Sequence, residues 1–267
     1  MQSLFLRHAA APAILGIGMI AAIGTLLLAV GAFSTLHLPR GFTSQRQLLG
    51  IDILLISLPS YLVFAWGLLH RRSAALLERV DALAPGGDFR RRLHAPTWVL
   101  AVGSGLGTIY AVAFNLPVAS VDQLVEGGVL LTTLVALTIL VWVAVGLVLS
   151  SRLYASSVFR DAGREVPVDL WDHTSLEPFA RNGMGDFLLA MGGLVLSTVQ
   201  SIDAMFRTEN YLYALAVGIP AAAILLSRPM STVHARLKAM KRDELANVNA
   251  LIRTAPKTLS SDDIDRL

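Results

Sequence analysis

Six long apolar stretches, separated by short polar segments, constrain this chain more than any other feature. An α-helix rises about 1.5 Å per residue, so about 20 apolar residues cross a hydrocarbon layer of about 30 Å. The only acidic or basic residues within the stretches are Asp52 and Asp186. We therefore predict an all-α polytopic membrane protein with six transmembrane helices and helical extensions in the cytoplasm. The stretches are residues 10–33, 48–69, 96–116, 127–150, 184–202 and 211–227.

The last two stretches are the shortest and leave two arrangements open. They suit either tilted full spans or a re-entrant hairpin. Both arrangements place the C-terminus on the same side of the membrane, because both return the chain to the side on which the pair began.

The basic residues predict the orientation. If the N-terminus lies inside, 19 of the 22 lysines and arginines fall on the inner side. Cytoplasmic segments of membrane proteins carry such an excess, so we expect both termini in the cytoplasm. Arginine outnumbers lysine strongly, as in proteins of GC-rich bacteria, so we expect the inner membrane of a bacterium.

The composition also excludes several function classes. A formal net charge of +3 gives no reason to expect a nucleic-acid partner. The chain contains no cysteine, which rules out disulfides, thiolate-bound metal centres and a thiol nucleophile.

The inner segments carry the first candidate contact residues. Apolar residues at helical spacing predict that the second helix continues through Leu83, and residues 151–162 similarly extend the fourth helix. Arg90, Arg91 and Arg92 then precede the third stretch. Such a triplet at a membrane surface favours contact with anionic lipid head groups, and a partner protein is the alternative.

Residues 228–253 have the pattern of an amphipathic cytoplasmic helix, followed by a tail, residues 254–267, that we expect to be mobile. The inner loops of the same chain, a second copy, another protein or the bilayer could cover its apolar face. Acidic residues in the middle of the helix disfavour the bilayer, so we predict docking on protein. The apolar face comprises Val233, Leu237, Met240, Val248 and Leu251.

Small residues in the third stretch predict close helix packing. Gly103 and Gly107 lie one helical turn apart, a spacing that lets two helix backbones approach. The partner is either a helix of the same chain or a second copy, in a homo-oligomer.

One spacing resembles a metal site. Asp169, His173 and Glu177 would share a helix face, with Asp172 beside them, and these ligand types bind divalent ions. Flanking prolines make the segment short, so we expect neither a metal nor another cofactor.

Two main function classes remain. Polar residues are concentrated outside the spans, which favours a non-enzymatic scaffold, sensor or subunit of a membrane complex. An uncoupled transporter or channel component is the alternative, because coupled transporters usually place an ionisable residue near the membrane midplane. An enzyme that uses the 169–177 segment is the third interpretation.

Overall fold

The computed structural model describes Phe5 and residues 8–34, 38, 42, 44–84, 86–116, 120–167, 174–201 and 208–254. The described residues form helices and no strand. Six helices are long and apolar enough to cross a membrane. By the length and composition of its helices, the prediction of an all-α, multi-pass membrane protein with six spanning helices is confirmed.

Eight α-helices make up the described part of the chain, and three of them are much longer than a bilayer requires. They are α1 (Ala11–Ala29), α2 (Gln45–Leu83), α3 (Phe89–Arg92), α4 (Thr97–Tyr110), α5 (Val121–Glu126), α6 (Gly128–Glu165), α7 (Glu177–Ser197) and α8 (Thr208–Thr254). A π-helical turn, Ala111–Asn115, ends α4, and 3₁₀ turns flank α7 at Thr174–Leu176 and Thr198–Ser201.

Four of the membrane-spanning helices surround the centre of the bundle. α2 packs against α6 and α7, and α8 closes the ring by packing against the same two helices. α1 covers the outer side of α2, and α4 covers the outer side of α6. Large apolar side chains point away from this ring, for example Ile17, Trp98, Leu106 and Val195. Such a surface suits lipid rather than water, because spanning helices face hydrocarbon.

Two helices differ from the sequence-based boundaries. α8 is one continuous helix of 47 residues, although the sixth stretch and the amphipathic segment are separated by Arg228-Pro229. A proline removes one backbone hydrogen bond, but buried Leu225 and Val233 hold the chain on both sides of it. α7 begins at Glu177 and runs through residues 182–185, although the fifth apolar stretch begins only at residue 184. There the backbone of α8 lies so close that a Cβ on Gly183 would come within 2.8 Å of the Leu226 carbonyl oxygen.

The long helices extend well past one side of the apolar layer. α6 has 38 residues, which corresponds to about 57 Å at 1.5 Å per residue, against about 30 Å of hydrocarbon. The extra length carries all the arginines of α6 and three of the four in α2, namely Arg71, Arg72 and Arg79. We call this side the basic end, where α2 and α6 end, α7 begins and α8 continues.

Candidate interaction site at the basic end

An apolar core joins five helices at the basic end. Phe159 of α6 and Phe179 of α7 meet edge to face, with ring centroids 6.0 Å apart. Tyr154, Met230 and Leu237 pack against this core from its margin. The basic end is therefore a packed unit rather than a set of loops. Its buried side chains include Leu77, Val80, Phe89, Leu93, Phe159, Ala162, Phe179 and Val233.

Val233 and Arg236 both attach α8 to the end of α6. Val233 is fully buried, and a Cβ on Gly163 would come within 2.8 Å of its Cγ2 atom. Arg236 Nη1 donates to the carbonyl oxygens of Gly163, Arg164 and Val166, at 2.9, 3.1 and 2.7 Å. The last carbonyls of a helix lack intrahelical partners and carry partial negative charge, so a guanidinium there both satisfies and stabilises them.

The five predicted contact residues of α8 fall into two groups. Val233 and Leu237 belong to the core of this chain, and Met240 is half-buried. Beyond them every residue from 241 to 253 is exposed. This distal segment carries Val248 and Leu251, together with Leu245 and Ile252, whose exposed fractions are 54% and 67%.

The arginine triplet forms the short helix α3, and two of its members are ion-paired. Arg90 lies 3.0 Å from Glu78, and Arg91 lies 3.1 Å from Asp88. The Arg92 guanidinium lies over the ring of Phe89, 5.5 Å from its centroid. These pairs are exposed, and exposed pairs contribute only about 0–1 kcal/mol, so they leave the arginines accessible to another anion.

The Asp81 carboxylate fixes α3 to the end of α2. It accepts hydrogen bonds from the backbone N–H groups of Phe89 and Arg90, at 2.9 and 3.1 Å. These groups lie in the first turn of α3, where backbone donors lack helical partners. The triplet is thereby held at a fixed position relative to α2.

A buried ionic network, which the sequence analysis missed, links α2, α6 and α7 next to this core. Arg152 Nε donates to Asp186 Oδ1 at 2.7 Å, and Asn182 Nδ2 donates to Asp186 Oδ2 at 3.1 Å. Arg152 Nη2 donates to Ser73 Oγ at 2.8 Å, and Ser73 in turn donates to Asn182 Oδ1 at 2.7 Å. The four side chains form a closed ring, and neither charged side chain is exposed.

Further buried polar groups surround the ionic network. Trp66 Nε1 donates to Ser151 Oγ at 3.0 Å, one residue before Arg152. His70 is buried and stacks edge to face on exposed His94, with centroids 5.4 Å apart. Within this group, Arg152 Nη1 and His70 Nε2 have no hydrogen-bond partner among the described residues. The sequence signal for the network was the Asn182–Asp186 spacing, which places two polar side chains on one helix face.

Gly103 and Gly107 of α4 face α6 of the same chain. A Cβ on Gly107 would overlap the carbonyl oxygen of Trp142, and one on Gly103 would overlap that of Gly146. Gly146 in turn lies against the Gly103 carbonyl. The close approach therefore lies within one subunit in this structure.

The candidate metal ligands are mostly outside the described residues. This applies to Asp169, Asp172 and His173. Glu177 begins α7 and forms an ion pair with Arg181 on the same helix. Within the described part of the chain, no group of three potential metal-binding side chains is present.

These features define the class of protein as a multi-pass helical membrane protein with a packed, arginine-rich unit at one end. Comparisons of the chain with protein-family models, with curated proteins and with solved structures found no match.

Proposed function

We propose that the protein is a non-enzymatic subunit of a membrane-protein complex and that the distal segment of α8 binds the partner. The observation that supports this is an anchored helix with an uncovered apolar face. Arg236 and Val233 fix α8 to the bundle, and the helix then continues with Leu245, Val248 and Ile252 exposed. Full burial of such a side chain is worth about 1.5–3 kcal/mol, so a partner that covers all three gains substantial free energy.

The position of the distal segment argues against the bilayer as its occupant. Arg236 contacts the last turn of α6, whose length exceeds the hydrocarbon thickness by roughly 27 Å. α8 continues past Arg236 to Thr254, which is about five further turns. Asp243 and Glu244 also lie in the middle of the segment, and both would be costly in an apolar layer.

The charges of the segment favour a different protein over a second copy. Glu244 shares a helix face with Leu237 and Val248, since residues three, four and seven apart align. In a parallel pair of α8 helices the two Glu244 side chains would therefore meet in the seam, which destabilises it. Lys241 lies on this face one turn before Leu245, and Lys238 and Arg242 lie along its edge. The partner we propose therefore has an apolar groove with an acidic rim.

The proposed location is the inner membrane of a bacterium, with both termini in the cytoplasm. The support is the 19-to-3 distribution of basic residues between the two sides. The basic end is then the cytoplasmic end, where its arginines also meet anionic lipid head groups.

A photo-crosslinking amino acid at position 245 or 252 tests the proposal in intact membranes. We expect a discrete adduct with an acidic protein at both positions, and none from position 246 on the opposite face. With the identified partner purified, Val248→Asp should weaken binding at least 10-fold. Ala246→Asp is the matched control, with the same added charge, and should bind normally.

Three outcomes would contradict the proposal. An adduct of twice the mass of the chain would make the second copy the occupant. Labelling of lipid alone would place the segment at the bilayer. Equal adducts from both faces would show that α8 has no specific binding face.

A further inference from the structure

A second candidate site lies inside the bundle, away from the basic end. A partly open cavity of about 470 Å³ is lined mostly by residues of α2, α6, α7 and α8, together with Phe42, Phe114, Leu116 and Gln200. Ligand pockets in proteins measure about 300–1,000 Å³, so the cavity has the size of a binding site. It lies within the apolar part of the four helices and therefore at membrane depth.

The floor of the cavity is apolar. Leu62, Val148 and Leu189 line it there, and together with Trp66 they belong to one buried cluster. Arg152 and Asp186 follow about one helical turn further on, so this layer separates the cavity from the ionic network. A polar solute would meet no polar path at this end, which disfavours transport through the bundle.

The polar lining lies toward the opposite end. Gln47 is in the first turn of α2, Ser197 ends α7, and Gln200 follows it. Thr138 lies deeper, on α6. None of the described residues that line the cavity is acidic or basic. The site therefore offers hydrogen bonds at one end and hydrocarbon contacts at the other, without a charge to pair with a phosphate or a carboxylate.

The existing hydrogen bonds define which head group fits. The Thr138 hydroxyl donates to the Leu134 carbonyl at 2.8 Å, and the Ser197 hydroxyl donates to the Leu194 carbonyl at 2.6 Å. Gln200 Nε2 donates to the Ser197 carbonyl at 3.1 Å. Each hydroxyl has thus used its single proton and retains oxygen lone pairs, so the site mainly accepts hydrogen bonds. A head group that donates them is complementary.

We infer that the cavity binds a neutral amphiphile with a hydroxyl head group and one long hydrocarbon chain, the chemistry of a monoacylglycerol or a long-chain alcohol. The head group lies near Thr138, Ser197 and Gln200, and the chain extends toward Leu62 and Val148. The bound hydrocarbon chain fills this space and gives the wall atoms van der Waals contacts that they otherwise lack. This binding does not depend on the partner proposed for α8.

Gly193 provides a variant that fills the cavity. It lines the cavity, and a Cβ there would meet only Leu58 Cδ1, at an ordinary 3.9 Å. The Cβ of Gly193→Phe therefore meets no backbone atom, and we expect its ring to enter the cavity. Gly105→Phe is the matched control, because a Cβ on Gly105 meets nothing within 4 Å and this residue of α4 does not line the cavity.

The experiment uses the full chain in lipid nanodiscs with a monoacylglycerol that carries a photoreactive diazirine in its acyl chain. We expect saturable labelling of α2, α6, α7 or α8, competed by unlabelled monoacylglycerol. Labelling should fall at least 10-fold in Gly193→Phe and stay unchanged in Gly105→Phe. If Gly193→Phe does not fold, Ala221→Leu fills the cavity from α8 instead.

Head-group recognition is tested separately with Thr138→Val, which removes the hydroxyl at nearly constant volume. Competition by the alcohol should weaken several-fold, whereas competition by the corresponding methyl ether, which donates no hydrogen bond, should not change. Non-saturable labelling, or full labelling of both cavity-filling variants, would overturn the inference. Equal competition by phosphatidylcholine would show that only the hydrocarbon chain is bound and would overturn the head-group assignment.

Discussion

Removal of one charge from the buried ionic network should destabilise the protein more than removal of both. Asp186 accepts hydrogen bonds from Arg152 and Asn182, at 2.7 and 3.1 Å, and neither charged side chain is exposed. Asp186→Leu leaves the Arg152 guanidinium buried without a counter-charge. Loss of one partner of a buried ion pair costs about 3–5 kcal/mol.

Replacement of both charges should restore most of that stability. In Arg152→Met/Asp186→Leu the uncompensated charge is gone and two apolar side chains of similar size fill the space. Such exchanges are often neutral or stabilising. Ser73 and Asn182 keep their mutual 2.7 Å hydrogen bond. The double variant should therefore be more stable than Asp186→Leu alone.

Thermal melting in detergent measures the difference. At about 2–4 °C per kcal/mol, Asp186→Leu should lower the Tm by roughly 6–20 °C. The parent protein, Arg152→Met, Asp186→Leu and the double variant are measured at the same scan rate, because irreversible unfolding makes the Tm depend on that rate. Glu177→Gln removes an exposed pair from the same helix and should change the Tm little. If the destabilisation of the double variant equalled the sum for Arg152→Met and Asp186→Leu, the two residues would not be coupled and the reasoning would be refuted.

Two other predictions concern helix packing and orientation. Gly107→Leu should destabilise the fold by about 1–3 kcal/mol or more, since the side chain would overlap the Trp142 backbone, whereas Gly105→Leu should be neutral. Equal melting temperatures for the two would show that this face of α4 meets lipid. In this cysteine-free chain, a cysteine at exposed Gln123 should react with an impermeant thiol reagent outside intact cells, and one at exposed Ala82 should not. The reverse pattern would invert the proposed topology.

The number and type of the helices could be predicted from the sequence because they depend on local properties. Each stretch must satisfy its own backbone hydrogen bonds in hydrocarbon, so a run of apolar residues predicts a helix without knowledge of its neighbours. The helical continuation of the second stretch through Leu83 was predictable for a similar reason, since apolar spacing along one helix indicates one buried face. Boundaries at Pro229 and at residues 182–185 were harder to predict, because neighbouring helices stabilise α7 and α8 there.

The sites depend on contacts between distant parts of the chain. Arg152 was counted among the basic residues that set the orientation, yet it is buried against Asp186, 34 residues away, and Ser73, 79 residues away. The amphipathic pattern of α8 identified one apolar face, but only packing decided that Val233 is covered by α6 while Val248 is exposed. The cavity also arises from the arrangement of four helices. Composition determines that each helix enters the membrane, whereas the fit of side chains between helices determines which polar groups meet and where space remains.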